Sequence, residues 1–388
     1  MAEQTRLERP MPTLSTTVDP RSPSYVDSRQ AVLARLDELD EALAATRGRY
    51  RAIARERVEL LLDRDAPFLE LCPVAGWGTE DAPGAGIVGG IGRVEGVQCV
   101  LIATDPGVPD GLAAPRKARR LGEIATENGL PLIHLLDRGG TETAPEVLRD
   151  LARAASLPRI AVAFGEGTAP ATLSDYTIAV RTGPADFLAE DERDAIRLAR
   201  LCVRRVADRR SAPYRLGAPL GLGGPPKYEV DDLLGLGTGD AREILARILD
   251  GSELDEFQPR SGTGLVAGWA ELHGYPVGVL ATTRAGDAEA AKATEFVRRA
   301  HTPLLFIDNG TAADPRLVEA VATSPVPHLR VELAAGTGRA LRPRFLFRWP
   351  HPTALDRSGR LGDDGVLDPR DTRTALGIAL SAVHSGGS

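Results

Sequence analysis

The stretch from Gly86 to Thr104, GIVGGIGRVEGVQCVLIAT, returns from Gly264 to Thr282 as GLVAGWAELHGYPVGVLAT. The two align without a gap at an offset of 178, pairing Gly86 with Gly264, Val88 with Val266, Gly90 with Gly268, Gly96 with Gly274, Ala103 with Ala281 and Thr104 with Thr282. Each copy leads into a helix-like run and then a proline-led apolar strand, GLPLIHLLD at 129–137 and HTPLLFID at 301–308. A third pair follows, LPRIAVAFGEG at 157–167 and VPHLRVELAAG at 326–336. One α/β unit has been built twice, in the same order. Strands alternating with helices of this length favour right-handed crossovers and a buried sheet in each unit. A duplicated fold usually places its chemistry between the copies.

The chain has 388 residues, enough for two domains with sizeable cores. Its net charge of −7 argues against a nucleic-acid-binding surface over the whole chain, though not against a local basic pocket. Cys72, Cys99 and Cys202 are odd in number and far apart, giving neither a disulfide framework nor a zinc spacing, so a cytoplasmic location is expected. No stretch approaches the roughly 20 apolar residues that cross a bilayer, and no membrane partner is expected.

Residues 1–27, with Pro10, Pro12, Pro20 and Pro23 among polar residues, read as a flexible leader. A helical pattern runs from about Ser28 to Leu62, with Leu33, Leu36, Leu43, Tyr50 and Ile53 near one face. The first domain is assigned to 28–210, with strands at 86–94, 97–104, 131–137, 159–164 and 176–181 and helices at 113–128, 142–154 and 189–209. The Pro- and Gly-rich segment SAPYRLGAPLGLGGPPKYE and a short helix make a connection over 211–251. The second domain is assigned to 252–388 and ends in a helix started by Asp368-Pro369.

Several runs resemble the β subunits of biotin-dependent acyl-CoA carboxylases, the carboxyltransferase family, in its methylcrotonyl-CoA carboxylase form. They are ARERVELLLDRDAPFLEL at 54–71, ENGLPLIHLLDRGG at 127–140, REILARILDGSELDEFQPRSGTGLVAGWAELHGYPVGVL at 242–280, RPRFLFRWP at 342–350 and DDGVLDPRDTRTALGIALSA at 363–382. The resemblance implies two tandem crotonase-like ββα-spiral domains behind an N-terminal helix. It implies an oligomer, homomeric or heteromeric, in which the first domain of one subunit faces the second domain of another. Acyl-CoA would lie on the first side and carboxybiotin on the second. Any biotin would arrive on a separate carrier chain, because no biotinylation motif is visible. The implied partners are an acyl-CoA thioester and a biotin carboxylase or carrier subunit, or a paralogous carboxyltransferase chain. The implied reaction moves a carboxyl group from carboxybiotin to the thioester through an enolate held by backbone N–H groups, which meet negative charge without reorganising.

The chain departs from the family pattern at the loops that carry this chemistry. Where the family has a Gly-Gly turn, this chain has GEGTAPATLSD at 165–175, shorter and with Pro170 lacking an N–H. Where the family has its second glycine run, only AAGTGRAL remains at 334–341. Only His351 to Gly362 separates Arg348-Trp349-Pro350 from the DDGVLDP run. The candidates for a first oxyanion hole are Gly167 and Thr168, and for a second Gly336, Thr337 and Gly338, against the alternative of ordinary turns. Gly139 and Gly140 could approach the acyl thioester or simply turn the chain. Arg116, Lys117, Arg119 and Arg120 could meet CoA phosphates or form a solvated helix face. Glu166 could be an acquired base or a surface residue, and Asp137 and Asp175 read as caps or turn residues rather than catalysts. The six histidines show no ligand spacing, so no metal is expected. Two other functions compete with carboxyl transfer: a non-catalytic scaffold subunit in a heteromeric carboxylase, and a biotin-independent thioester enzyme.

Overall fold

The computed structural model describes residues 11–47, 51–105, 107–108, 111–137, 157–165, 174–183, 185–209, 223–236, 241–284, 286–308, 314–335 and 342–385. The first half contains α1 (Pro23–Thr46), α2 (Arg51–Leu61), β1 (Leu69–Glu70), β2 (Ile87–Val94), β3 (Val97–Thr104), α3 (Ala113–Glu127), β4 (Leu132–Leu136), β5 (Arg159–Ala163), β6 (Tyr176–Val180), β7 (Phe187–Ala189) and α4 (Glu192–Arg209). The second contains α5 (Ala241–Ile248), β8 (Asp255–Glu256), β9 (Leu265–Leu272), β10 (Tyr275–Thr282), α6 (Asp287–Arg299), β11 (Leu304–Asp308), α7 (Pro315–Thr323), β12 (His328–Glu332), β13 (Phe345–Arg348), α8 (Ala354–Gly359), β14 (Gly365–Val366) and α9 (Thr372–Ser385). Each half forms one sheet whose seven strands lie in chain order. In both, the first three strands pair antiparallel and the rest parallel. This is the α/β unit built twice that the repeat implies, in the spiral form that the family resemblance implies.

The repeat extends to bonds the sequence does not reveal. The β2–β3 turn holds Glu95 and Gly96 at positive φ, and the β9–β10 turn holds His273 and Gly274 likewise, the geometry a two-residue hairpin needs. The carboxylate of Asp63 accepts from both N–H groups of the first turn, at 2.8 and 2.8 Å. Asp250 accepts from both of the second, at 2.9 and 2.7 Å. Arg200 on α4 holds Asp63 and the Leu61 carbonyl at 2.8 and 2.7 Å, and Arg373 on α9 holds Asp250 and the Ile248 carbonyl at 2.7 and 2.6 Å. Thus α5 corresponds to α2, and α9 to α4.

A buried lysine is duplicated too. Lys117 on α3 donates to the carbonyl of Ile87, the first residue of β2, at 2.8 Å. Lys292 on α6 donates to the carbonyl of Leu265, the first residue of β9, at 2.9 Å. Both side chains are buried, their stems packed in the core while the ammonium meets backbone oxygens.

These equivalences fix how the halves stack. One face of the first sheet packs on Ala54, Val58 and Leu61 of α2 and Ala195, Ala199 and Val203 of α4. One face of the second packs on Phe296 and Val297 of α6 and Ala320 and Val321 of α7. The remaining faces share one continuous core, with Leu121 and Ile124 of α3 on one side and Ile244, Leu245, Leu376 and Ala379 of α5 and α9 on the other. The α3 face of the first unit therefore meets the α5/α9 face of the second, a head-to-tail stacking.

Two expectations are corrected near the N-terminus. The helical run over 28–62 is two helices, and α1 lies across both halves, packing Leu36, Leu39 and Ala42 against Val74, Ala354 and Val366. The leader is anchored rather than flexible over its described part. Leu14 donates to the Ser252 carbonyl and Leu254 to the Pro12 carbonyl, at 2.8 and 3.0 Å. The cause is Glu243, buried beside Arg247: its carboxylate accepts from Thr16 Oγ1 at 2.7 Å and Thr17 N at 2.6 Å, which supplies the bonds a buried carboxylate requires.

Candidate functional site

Parallel sheets present ligands at the carboxyl ends of their strands, where loops leave the scaffold. In the first half those exits are Asp137 after β4 and Phe164-Gly165 after β5. One residue of α2 ties them together. Arg57 pairs with Asp137, donates to Glu192 at the start of α4 at 2.7 and 3.1 Å, and lays its guanidinium carbon 3.9 Å from the Phe164 ring centroid. Burial works against its charge, but the bonds to Glu192 and Asp137 outweigh it and hold the guanidinium above its ordinary value. Asp137 also donates its N–H to Thr104 Oγ1 at 3.0 Å, which fixes the β4 exit against the end of β3. The residue read as a cap or turn residue also carries an ion pair.

The glycines singled out from sequence leave from these anchored ends. Gly139 and Gly140 follow Asp137, and Glu166, Gly167 and Thr168 follow Gly165, but all five lie outside the described residues. So do Gly336, Thr337 and Gly338 in the second half, and the helix expected at 142–154. Asp175 acts as a turn residue, accepting from the Arg159 N–H at 2.8 Å. His134 is a buried strand residue whose Nδ1 has no hydrogen-bond partner among the described residues, and burial pushes it down to about 4, so it stays neutral.

The basic cluster on α3 divides. Lys117 is buried on the Ile87 carbonyl, so the structure assigns it to the core and removes it from any phosphate site. Arg120 spends its guanidinium on Asp364 at 2.7 and 2.9 Å and on the Arg344 carbonyl at 2.8 Å, tying α3 to the second half. Arg116 and Arg119 are exposed. With Arg120 and Arg342 they line a cleft of about 480 Å³ between the halves, whose acidic members are Glu123, Asp363 and Asp364. A basic rim therefore survives, smaller than the sequence suggested.

The second half ends its parallel strands differently. Asp308, Glu332 and Arg348 stand side by side in register across β11, β12 and β13. Arg330, one pleat back, bonds Asp308 at 2.7 Å and Glu332 at 3.2 Å. Arg348 pairs with Glu332 and bonds Asp363 at 2.6 Å. Arg330, Glu332, Arg348 and Asp363 are all buried. Desolvation lifts the Asp363 carboxyl to about 6 against the pull of Arg348. Neither Arg57 nor this network was singled out from sequence.

Among the described residues no helix is long and apolar enough to cross a membrane, and the three cysteines are buried free thiols. Comparison with known proteins places the chain. The Carboxyl transferase domain family matches residues 45–160 and 157–312. A probable biotin-dependent acyl-coenzyme A carboxylase beta2 subunit of Mycobacterium tuberculosis is 33% identical over 520 residues, covering 96% of this chain and 97% of that one. The mitochondrial methylcrotonoyl-CoA carboxylase beta chain of Dictyostelium discoideum is 27% identical, covering 95% of this chain and 88% of that one. The solved beta subunit of Pseudomonas aeruginosa geranyl-CoA carboxylase superposes with a TM-score of 0.78 at 27% identity, covering 97% of this chain and 98% of that one. The alignment to the mycobacterial subunit spans 520 residues against a chain of 388, so a large part of that relative has no counterpart here, in keeping with loops trimmed from an intact core. The matched family, the relatives and the duplicated crotonase-like sheets agree that the chain belongs to the carboxyltransferase family of biotin-dependent acyl-CoA carboxylase β subunits.

Proposed function

We propose that this chain is the carboxyltransferase component of an acyl-CoA carboxylase and that its first half activates the acyl thioester. The observation that carries this is the Arg57 clamp, which anchors the exits of β4 and β5 from which both glycine loops depart. The backbone N–H groups of Gly167 and Thr168, with those of Gly139 and Gly140 as further candidates, would face the thioester oxygen as the α-carbon gives up its proton. Glycine lets the substrate approach the backbone closely, and fixed N–H dipoles stabilise the enolate oxygen without reorganising. Arg116, Arg119 and Arg342 on the basic rim offer charge complementary to the CoA phosphates. The carboxyl donor is carboxybiotin on a separate carrier chain: its N–C bond breaks, a C–C bond forms at the α-carbon, and the α-proton ends on the ureido nitrogen. The Gly336–Gly338 run is the corresponding candidate in the second half, but the buried ion network where β11, β12 and β13 run out does not fit an entering biotin, and no step is assigned there. The buried thiols support a reducing cytoplasm as the compartment.

Gly167→Val is the direct test of the first hole. A Cβ and two methyls there should lower acyl-CoA α-proton exchange by at least about 100-fold, the scale of losing one oxyanion donor, with an unchanged melting temperature. Normal exchange would remove Gly167 from the site.

A further inference from the structure

The internal repeat lets the two halves be compared position by position. In the first half, Leu136, Ala163 and Ala179 stand in register where β4, β5 and β6 run out, with Ala161 one pleat back. Their counterparts in the second half are Asp308, Glu332 and Arg348, with Arg330 one pleat back. The matching ladder bonds confirm the equivalence. Leu132 N donates to Pro158 O as Leu304 N does to Pro327 O, and Asp175 N to Arg159 O as Arg344 N does to His328 O. Three alanines in one half have become two arginines and a glutamate in the other.

These charges close on themselves. Arg330 bridges Asp308 and Glu332, and Arg348 bridges Glu332 and Asp363. The chain beyond β13 then returns at once to the first half, where Gly76 N donates to Gly359 O at 2.7 Å and Cys72 N to Asp364 O at 2.7 Å. A ligand seated over these strand ends would have to displace paired, desolvated charges and leave some unpaired, which proteins resist strongly. The first half has apolar Leu136, Ala163 and Ala179 at the same positions, and its ion pair, Arg57 with Asp137, sits one residue beyond the end of β4 rather than within the row.

We propose that the second half of this chain holds no carboxyl-donor site, and that a different carboxyltransferase chain, with short apolar residues at these positions, supplies it. The inference rests on the carboxyltransferase reading above. The partner cannot be another copy, because every copy carries the same closed row and a homo-oligomer would contain acceptor sites only. This chain is then the acceptor half of a mixed enzyme.

The two half-reactions separate the claims. The purified full chain alone is assayed for α-proton exchange of acyl-CoA in D2O and, independently, for carboxyl loss from a carboxylated biotin carrier protein. The expected result is measurable exchange, with carboxyl loss from the carrier within twofold of the uncatalysed rate. Co-expression with a carboxyltransferase chain that has short apolar residues at the three aligned positions should give a mixed oligomer by native mass spectrometry and restore complete transfer. Acceleration of carboxyl loss tenfold or more by the chain alone overturns the inference, as does a mixed oligomer that transfers no faster than its parts. Absence of exchange, with the donor arm as expected, instead defeats the assignment of the acceptor site to the first half.

Discussion

Replacing Arg57 with Met should lower turnover in acyl-CoA α-proton exchange by about 100-fold or more, because an ångström of misplacement in a catalytic loop costs on that order. The side chain is nearly the same length and would still fill the α2 face. It would lose the Asp137 pair, both Glu192 bonds and the charge over Phe164 together. Asp137 is largely buried and loses its Arg57 partner; truncating one member of a buried pair costs about 3–5 kcal/mol. The effect on kcat should exceed that on KM, since the CoA rim lies on α3, away from the clamp. Arg57→Lys should fall between, because an ammonium cannot hold Glu192 bidentately while stacking on a ring. Steady-state kinetics and urea denaturation of both variants check this. An Arg57→Met enzyme that folds and keeps full kcat would show that the clamp supports the fold and not the loops.

The second large effect is expected in the opposite half. Arg348→Met should destabilise the protein by about 3–5 kcal/mol at neutral pH, because it takes a buried ion-pair partner from both Glu332 and Asp363, while Arg330 is already shared between Asp308 and Glu332. The loss should shrink in mild acid. Asp363 is raised by burial to about 6 already, above its unfolded value, so the stability from its protonated form is present at low pH and lost as pH rises through 6. Without Arg348 that carboxyl rises further and protonates more readily in the fold. His351 points the same way: burial, then the charges of Arg348 and Arg357, lower it to about 4. Losing one of those charges lets it protonate sooner and reduces the acid penalty. Urea denaturation of wild type and variant at pH 7.5 and pH 5 measures both. A gap that stays constant between the two would mean that Asp363 and His351 do not titrate with the network.

The duplication was legible because hairpin strands β2–β3 and β9–β10 keep their length, so equivalent glycines stay in step. Beyond the hairpin the connections differ in length and the repeat slips out of alignment. That is why the Asp63/Asp250 caps and the Lys117/Lys292 pair appear only through their bonds. Arg57 left a faint signal: it falls on the same helical stripe as Ala54, Val58 and Leu61, where a charge needs a partner. In a run as charged as ARERVELLLDRD that signal does not stand out. Arg330 and Glu332 are hard to read from sequence for a related reason. Alternating with Leu329 and Val331 they look like the wet side of a strand, whereas the structure buries both faces. Only three-dimensional proximity to Asp308, Arg348 and Asp363 explains how that side stays charged. The leader misled through its prolines, because the partner that orders it, Glu243, lies more than 200 residues away in sequence.

Calorimetric titration of the purified chain with CoA and a short acyl-CoA panel tests the central claim most directly, since every step proposed for the first half begins with a bound thioester. The account predicts saturable binding in the range of about 1–100 μM, typical of enzyme substrates, weakened by Arg116→Ala or Arg119→Ala. No heat at millimolar ligand, with the protein shown to be folded, would contradict it.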